Sequence, residues 1–349
     1  MGLIKLPEES IQYFKEHVDE IFSSGNLAEG YWNRKLSKYV SILTKSRFCL
    51  PTSSNGTGLV SLLSLYRHFF NRNHVMIQSN TMYGVKAMVP ASGCELSGYV
   101  NCQLETLMPS INDFQIALNP LTKKEKNNLI ILLSHIGGII NPDILAIAEL
   151  CRKEGIILLE DCAHSFGATF NGQHSGLFGD AGVYSFYATK AIPAGEGGLV
   201  VTDDETIGQM IEQFAIYDRF DQKLGIGNNI RVSELQALFT YSIIRNWQEI
   251  VNEKTKIATE YIKVCQKNKI NYISQSEGGH SGNYYKFIIY SLKKPIKEAF
   301  IKLKTTTSPV YDYEIGFPNP LKDHHACLPI WYRLEQDVVK KVINELNKV

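Results

Sequence analysis

Lys190 is the one charged residue between Asp180 and Glu196, in the stretch Tyr184-Ser185-Phe186-Tyr187-Ala188-Thr189-Lys190-Ala191-Ile192-Pro193-Ala194-Gly195-Glu196-Gly197-Gly198. A lysine sheltered among apolar neighbours loses basicity and becomes an amine nucleophile, able to form a Schiff base with a carbonyl. On its own it reads more plainly as a lysine that snorkels to the surface. A second feature is Glu160-Asp161-Cys162-Ala163-His164-Ser165, which follows the apolar run Ile156 to Leu159. A carboxylate at the end of a buried strand needs a cationic partner, and a structural arginine would serve as well as a ligand. The third is Ser53-Ser54-Asn55-Gly56-Thr57-Gly58 ahead of the apolar stretch Leu59 to Phe70. Small residues at a helix entrance let backbone N–H groups approach a phosphate, and Thr57 adds a hydroxyl. The plainer reading is an ordinary N-capped helix, and the G-x-x-x-x-G-K-[ST] loop is absent. Together the three supply a phosphate cradle, a strand-end Asp and Ser185 five residues before a sheltered lysine, the set and order that a pyridoxal-phosphate site requires.

The elements that must position these groups follow from short β-branched runs alternating with helical stretches, the pattern of a mostly parallel sheet wrapped by helices. Leu129 to Leu133 is continuous enough to be a strand buried on both faces, Asp143 to Glu154 is helical and ends at Gly155, and Ile156 to Leu159 is the next strand. Val183 to Phe186 and Leu199 to Thr202 are further strands. Ligands of open α/β sheets bind at the carboxyl ends of such strands. Beyond about Tyr241 the texture changes to Lys-rich helices with a strand near Lys286 to Ser291. We therefore expect a large domain over residues 1–240, with an N-terminal arm over about 1–30, and a smaller C-terminal α+β domain over 241–349, the boundary good to about ten residues.

The 349 residues carry 36 Lys plus Arg against 35 Asp plus Glu, a net charge of +1 that provides no field for nucleic acid or an anionic membrane surface. Apolar runs are too short to span a bilayer and the first residues lack a signal-peptide core. The seven cysteines are odd in number, scattered and without a C-x-x-C pair, against a disulfide framework or a metal site. These features lead us to expect a cytoplasmic protein with reduced thiols and no metal.

The run from Glu160 to Ala168, through Gly179-Asp180-Ala181-Gly182-Val183-Tyr184-Ser185-Phe186 and on to Thr189-Lys190 and Gly195-Glu196-Gly197-Gly198, resembles the DegT/DnrJ/StrS family of pyridoxal-phosphate-dependent sugar aminotransferases. The resemblance covers roughly Glu29 to Gln248. It implies the three-layer type I (aspartate aminotransferase) fold and a homodimer with two sites at its interface. By the same resemblance, Lys190 is the lysine bonded covalently to the cofactor. Asp161 holds the pyridinium nitrogen protonated so that the ring acts as an electron sink. His164 sits beside the phenolic oxygen, Thr57, Gly58 and Ser185 take the phosphate, and Tyr83 stacks on the ring. Asn229-Ile230-Arg231-Val232-Ser233-Glu234-Leu235-Gln236-Ala237 is similar to the family's N-x-R-x-x-E-x-Q-A motif, whose Asn reaches the neighbour's phosphate; Arg231 is then a candidate for the donor carboxylate.

The chain departs from the family at Leu96-Ser97-Gly98-Tyr99-Val100, where an Asp-rich segment is usual, and at Pro318-Asn319-Pro320-Leu321-Lys322-Asp323-His324-His325, where P-L-H-x-Q-P is usual. His324 and His325 are substrate candidates whose plainer reading is a solvated loop pair. The resemblance implies a transaminase that takes an amino group from L-glutamate, through pyridoxamine phosphate, to a nucleotide-linked keto-deoxy sugar, at C4 in preference to C3, for a bacterial surface polysaccharide. The alternative acceptor is a small ketone without a nucleotide, such as a cyclitol or a phosphorylated ketone. A catalytically silent relative would lack Lys190 or Asp161, and the dehydratase branch carries His in place of the lysine.

Overall fold

The apolar runs form the centre of the molecule, and the computed structural model describes residues 4–220, 223–296, 300 and 321–348. Seven strands make one sheet in the order β1 (Phe48–Thr52), β9 (Gly198–Thr202), β8 (Ala181–Ser185), β5 (Ile157–Cys162), β4 (Leu129–Ser134), β2 (His74–Gln78) and β3 (Glu95–Val100). The pairs from β8 through β3 are parallel, and β9 runs antiparallel to both β8 and β1. This is the expected α/β architecture. β5 runs further than the sequence suggests, so Glu160, Asp161 and Cys162 are its last three residues and not a loop beyond it.

Helices cover both faces, which is why the strands are apolar throughout. In chain order they are α1 (Glu8–Ser24), α2 (Tyr31–Thr44), α3 (Asn55–Phe70), α4 (Tyr83–Ala91), α5 (Ile111–Leu118), the short α6 (Lys123–Lys126), α7 (Ile144–Glu154), α8 (Glu205–Ala215), α9 (Glu234–Ile244) and α10 (Trp247–Lys267). Side chains alternate across a strand, and β4 and β5 show it. Ile130, Leu132 and Leu159 pack with Leu59, Leu62 and Leu63 of α3, whereas Ile131, Leu133 and Leu158 pack with Ile144, Ile147 and Cys151 of α7. Truncating any of these buried leucines to Ala costs about 2–5 kcal/mol. α7 ends at Gly155, whose φ of 71° is the left-handed stop that glycine adopts without strain.

The C-terminal part adds a three-stranded antiparallel sheet, β10 (Asn271–Tyr272), β12 (Phe287–Tyr290) and β13 (His325–Leu328), in that order. It packs on α10 and on the final helix Gln336–Leu346 through Tyr261, Phe287, Ile289, Val339 and Val342. A third small sheet joins β11 (His280–Ser281) to β6 (Thr169–Phe170) and β7 (Gln173–His174). Backbone bonds from Asn283 to the Gly138 carbonyl (3.0 Å) and from Lys286 to the Gly137 carbonyl (2.9 Å) fasten this later segment to the loop after β4. Tyr241 lies inside α9, and the helical turn to α10 comes at Arg245 and Asn246. All seven cysteines are free thiols, and among the described residues no helix is long and apolar enough to cross a membrane.

Candidate active site

The alternation that sorts the core also sorts the acidic pair at the end of β5. Asp161 shares the α3 side with Leu159 and opens on a cavity of about 320 Å³ at the carboxyl ends of β4, β5 and β8. Ser54, Asn55, Gly56, Thr81, Met82, Ser134, His135, His164, Ser185, Tyr187, Lys190 and Glu196 line it. Among the described residues no arginine pairs with Asp161. Its Oδ1 accepts from the Asn55 side chain (3.1 Å) and from the Ala163 amide (3.1 Å), and its Oδ2 accepts from the Ser134 hydroxyl (3.1 Å). Ser134 is the register partner of Asp161 across the parallel pair, so two strand ends deliver both groups at one height.

Lys190 enters the same cavity from the turn that follows β8. Burial lowers its ammonium from the ordinary lysine value to about 8; the Asp161 carboxylate opposes the shift, and the Lys286 ammonium adds to it. Lowered basicity leaves a larger share of the amine unprotonated than in an ordinary lysine. His164 is buried, packs against Tyr285 with ring centroids 4.5 Å apart and the rings tilted by 41°, and accepts from the Gly137 amide at Nδ1 (3.4 Å). Its remaining nitrogen, Nε2, therefore carries the proton. Burial, then the Lys190 and Lys286 charges, hold the ring well below the ordinary histidine value, so it stays a neutral donor.

The helix after the Ser53–Gly58 segment begins four residues earlier than the sequence suggests. Asn55 opens α3, and Ser54 caps the helix by accepting from the Thr57 amide (3.1 Å), which the Thr57 hydroxyl returns by accepting from the Ser54 amide (3.0 Å). The cap engages Thr57 and leaves the amides of Asn55 and Gly56 at the positive helix end. Gly56 lines the cavity, whereas Thr57 faces a neighbouring groove. At Gly58 a Cβ would lie 2.7 Å from Val183 Cγ1, so glycine there serves the close approach of α3 to the sheet. The Ser185 hydroxyl sits at the end of β8 and accepts from the Tyr187 amide (3.4 Å).

Other expected residues lie elsewhere. Tyr83 begins α4 with its side chain exposed, and its predecessor Met82 lines the cavity. Asn229 and Arg231 are not among the lining residues of their own chain. Asn229 accepts from the Arg231 amide (3.3 Å), and Arg231 pairs with Glu29 (3.4 Å) over the Tyr217 ring. In the same motif Glu234 accepts from the amides of Gly30, Trp32 and Asn33 at the start of α2, and Gln236 donates to the carbonyls of Ala194 (2.8 Å) and Glu196 (2.5 Å). The motif thus braces the loop that follows Lys190. His324 and His325 are corrected from a solvated pair: His325 is buried at the start of β13, with Nδ1 on the Leu321 carbonyl (2.7 Å), and His324 Nδ1 meets the Ser291 carbonyl (2.7 Å). Both tie down the ends of β12 and β13, and neither lines the cavity. Residues 318 to 320 lie outside the described residues.

Behind β5, on the α7 side, Glu160 accepts from the amides of Gly176, Phe178 and Gly179 (2.7, 2.7 and 2.8 Å) and from His135 Nε2 (2.8 Å). His135 Nδ1 accepts from the Asn141 amide (3.1 Å). Glu160, His135 and Cys162 bring donor atoms within 4.8 Å of one another, but these bonds already occupy the carboxylate and the ring. The cluster serves to hold the Ser175–Gly179 turn.

A buried lysine of lowered basicity, a strand-end carboxylate and a neutral histidine meet at the N-terminus of α3 on this sheet, an arrangement that fits a pyridoxal-phosphate aminotransferase of fold type I. The chain belongs to the DegT/DnrJ/EryC1/StrS aminotransferase family, whose model matches residues 9–347. It is 28% identical over 262 residues to GDP-perosamine synthase of Escherichia coli O157:H7, which spans 71% of this chain and 67% of that protein. It is 29% identical over 173 residues, 47% of this chain and 41% of the other, to a Micromonospora echinospora protein assigned as an L-glutamine:3-amino-2,3-dideoxy-scyllo-inosose aminotransferase. The crystal structure of a DegT DnrJ EryC1 StrS aminotransferase from Brucella abortus superposes with a TM-score of 0.87 at 16% identity, over 100% of this chain and 99% of that one. Pyridoxal phosphate is the expected cofactor.

Proposed function

We propose that the protein moves an amino group from L-glutamate to a keto-deoxy sugar linked to a nucleoside diphosphate, at C4 in preference to C3, and that its product enters a bacterial surface polysaccharide. The observation that carries this reading is the convergence of Lys190, Asp161 and His164 on one cavity beside the N-terminus of α3. The cofactor supplies an electron sink for the charge that develops when the substrate carbon loses its proton. With it bound, Asp161 would keep a proton on the ring nitrogen, His164 Nε2–H would be the donor for the phenolic oxygen, and the Asn55 and Gly56 amides with Ser185 would hold the phosphate. The Lys190 amine receives and returns the proton at the substrate carbon.

We read Asn229 as reaching the phosphate of a second copy, a reading supported by its position outside the lining of its own chain's cavity. The rings of Tyr31, Tyr83, Tyr187, Tyr217 and Phe220 are exposed and so are open to a partner copy. We read the active form as a symmetric dimer, and the chain as two units divided near residue 240. The second reading, a small cyclic ketone as acceptor, draws on the scyllo-inosose aminotransferase relative.

Borohydride treatment of the yellow protein followed by peptide mapping should place the cofactor on Lys190, and a label on another lysine would overturn the assignment. A panel of nucleotide-linked keto sugars and cyclitol ketones, each assayed with L-glutamate and L-glutamine, then decides between the two acceptors. Turnover confined to the cyclitol ketones would replace the first reading by the second.

A further inference from the structure

Two lysine amines lie close to the ring of Tyr285. Lys190 Nζ lies 5.7 Å from its ring centroid and Lys286 Nζ lies 4.6 Å from it, so the two amines are at most about 10 Å apart. The position of Lys286 is fixed by its backbone: its amide donates to the Gly137 carbonyl (2.9 Å) and its carbonyl accepts from the Gln275 side chain (2.8 Å). Tyr285 is fixed as firmly, because its amide donates to Asn283 Oδ1 (2.8 Å), and Asn283 in turn donates to the carbonyls of His164 and Phe166. A segment more than ninety residues beyond Lys190 is thus fastened to the loops that frame the cavity, and it brings a second buried ammonium with it. We propose that Lys286 is a positioning residue for Lys190, a like charge held beside the same Tyr285 ring that enlarges the neutral, nucleophilic fraction of the Lys190 amine. This rests on the reading of Lys190 as the lysine that bonds the cofactor.

The other groups around the pair do not supply the same effect. Asp161, from β5, favours the charged form of Lys190, while His164 is neutral and Tyr285 lies above its ordinary phenol range through burial. Glu196 and Tyr187 line the cavity near Lys190. Lys286 is itself lowered by burial, an effect that Cys327 of β13 opposes, and Lys254 of α10, which donates to the Ala191 carbonyl, is lowered by burial and by Lys286. Lys286 is therefore the charge that acts on Lys190, on Lys254 and on His164. Two charges about 10 Å apart at an effective dielectric of about 20 shift a titration midpoint by about 1 pH unit.

The test reads Lys190 directly in the full chain freed of cofactor, by brief acetylation over about pH 6 to 10 and peptide mapping of each lysine. In the wild-type chain Lys190 should be half-reactive near pH 8. Lys286→Met should raise that midpoint by about 1 pH unit, Lys286→Arg, which keeps the charge, should hold it, and Lys254→Met should leave it in place. An unmoved midpoint in a folded Lys286→Met chain, or a midpoint raised equally in Lys286→Arg, overturns the proposal. Lys286→Gln is the second neutral variant should Lys286→Met not fold. Borohydride mapping of the loaded wild-type protein separates the two failures: a label away from Lys190 removes the functional reading, whereas a label on Lys190 with an unmoved midpoint removes only the role of Lys286.

Discussion

Glu160 and Asp161 are consecutive residues of one strand, both buried, and the two faces of β5 treat them differently. On the α7 side Glu160 accepts four bonds, two at each oxygen, three of them from backbone amides of one turn. On the α3 side Asp161 accepts three, two of them from side chains, Asn55 and Ser134, and it opens on the cavity. A buried carboxylate must be compensated wherever it lies. Glu160 is compensated completely, by rigid donors of its own chain, so its charge holds a turn. The shell of Asp161 leaves one direction open, so its charge remains available to a ligand. Identical burial therefore gives a structural role on one face and a chemical role on the other, and what decides is the geometry of the donors.

The largest expected effects come from removing each charge at constant shape. In Asp161→Asn the amide oxygen can keep the Asn55 and Ala163 bonds while the NH2 group faces the Ser134 hydroxyl, which can accept. Folding should be intact, and turnover should fall at least about 10²-fold, roughly 2.7 kcal/mol of transition-state stabilisation. In Glu160→Gln the NH2 group must face two donors whichever way the amide turns. That loses two bonds and leaves donors unpaired, a cost of about 3 kcal/mol or more in stability, with near-normal turnover in the fraction that folds. Denaturant melts and single-turnover kinetics on both variants check this crossed pattern. If Asp161→Asn lost stability and kept its turnover, the two faces would be equivalent after all.

Much of this was legible in the sequence and some was not, for a physical reason. The strand under Asp161, the shelter around Lys190 and the helix after Ser54 are local patterns of apolar spacing and capping, so they could be read directly. Asn55 reads locally as part of a phosphate loop; its bond to a carboxylate 106 positions away exists only because α3 packs over β5. The pairing of Arg231 with Glu29 spans 202 positions and is equally silent. Two adjacent histidines in a charged segment read as a loop, yet His325 is buried where β13 begins, a consequence of strand pairing with Tyr290. Lys254 and Lys286 showed no signal among the many lysines of the C-terminal half. What makes them unusual is burial, and burial is decided by partners from elsewhere in the chain.

Lys254 extends the comparison to a cation, since its Nζ donates to one carbonyl, that of Ala191 (3.3 Å), and its surroundings lower it to about 7. Below about pH 7 folded and unfolded chains both carry the proton, and the folded state bears the cost of burying it. Between that point and the ordinary lysine value the unfolded chain binds more protons, so stability rises with pH; above it the difference is gone. Lys190, lowered to about 8, contributes in the same direction. Lys254→Met should stabilise the protein at pH 6 by on the order of 2 kcal/mol and flatten part of the rise between pH 7 and 10. Urea melts at several pH values measure both, and a variant less stable than wild type at pH 6 would show that the ammonium is compensated as completely as Glu160.

The smallest effect tests the open shell itself. Asn55 donates to Asp161 Oδ1 and to the Val183 carbonyl (2.8 Å), so it both orients the carboxylate and ties the start of α3 to β8. Asn55→Ala removes both bonds at the edge of a cavity, where water can replace them, so the stability cost should stay near about 1 kcal/mol. The carboxylate would still have Ala163 and Ser134 but would rotate more freely, and a positioned charge is worth more than a mobile one. Turnover should fall about 10-fold, less than in Asp161→Asn, and Asn55→Ser, which can still donate, should recover part of it. His135→Ala, at a ring that borders the cavity and donates to Glu160 behind the strand, also removes one of several donors but leaves Glu160 held by three amides, so turnover should fall less than in Asn55→Ala while the melting temperature falls. Equal losses of turnover in Asn55→Ala and His135→Ala would mean that orienting the Asp161 carboxylate matters no more to turnover than the His135 ring at the cavity edge.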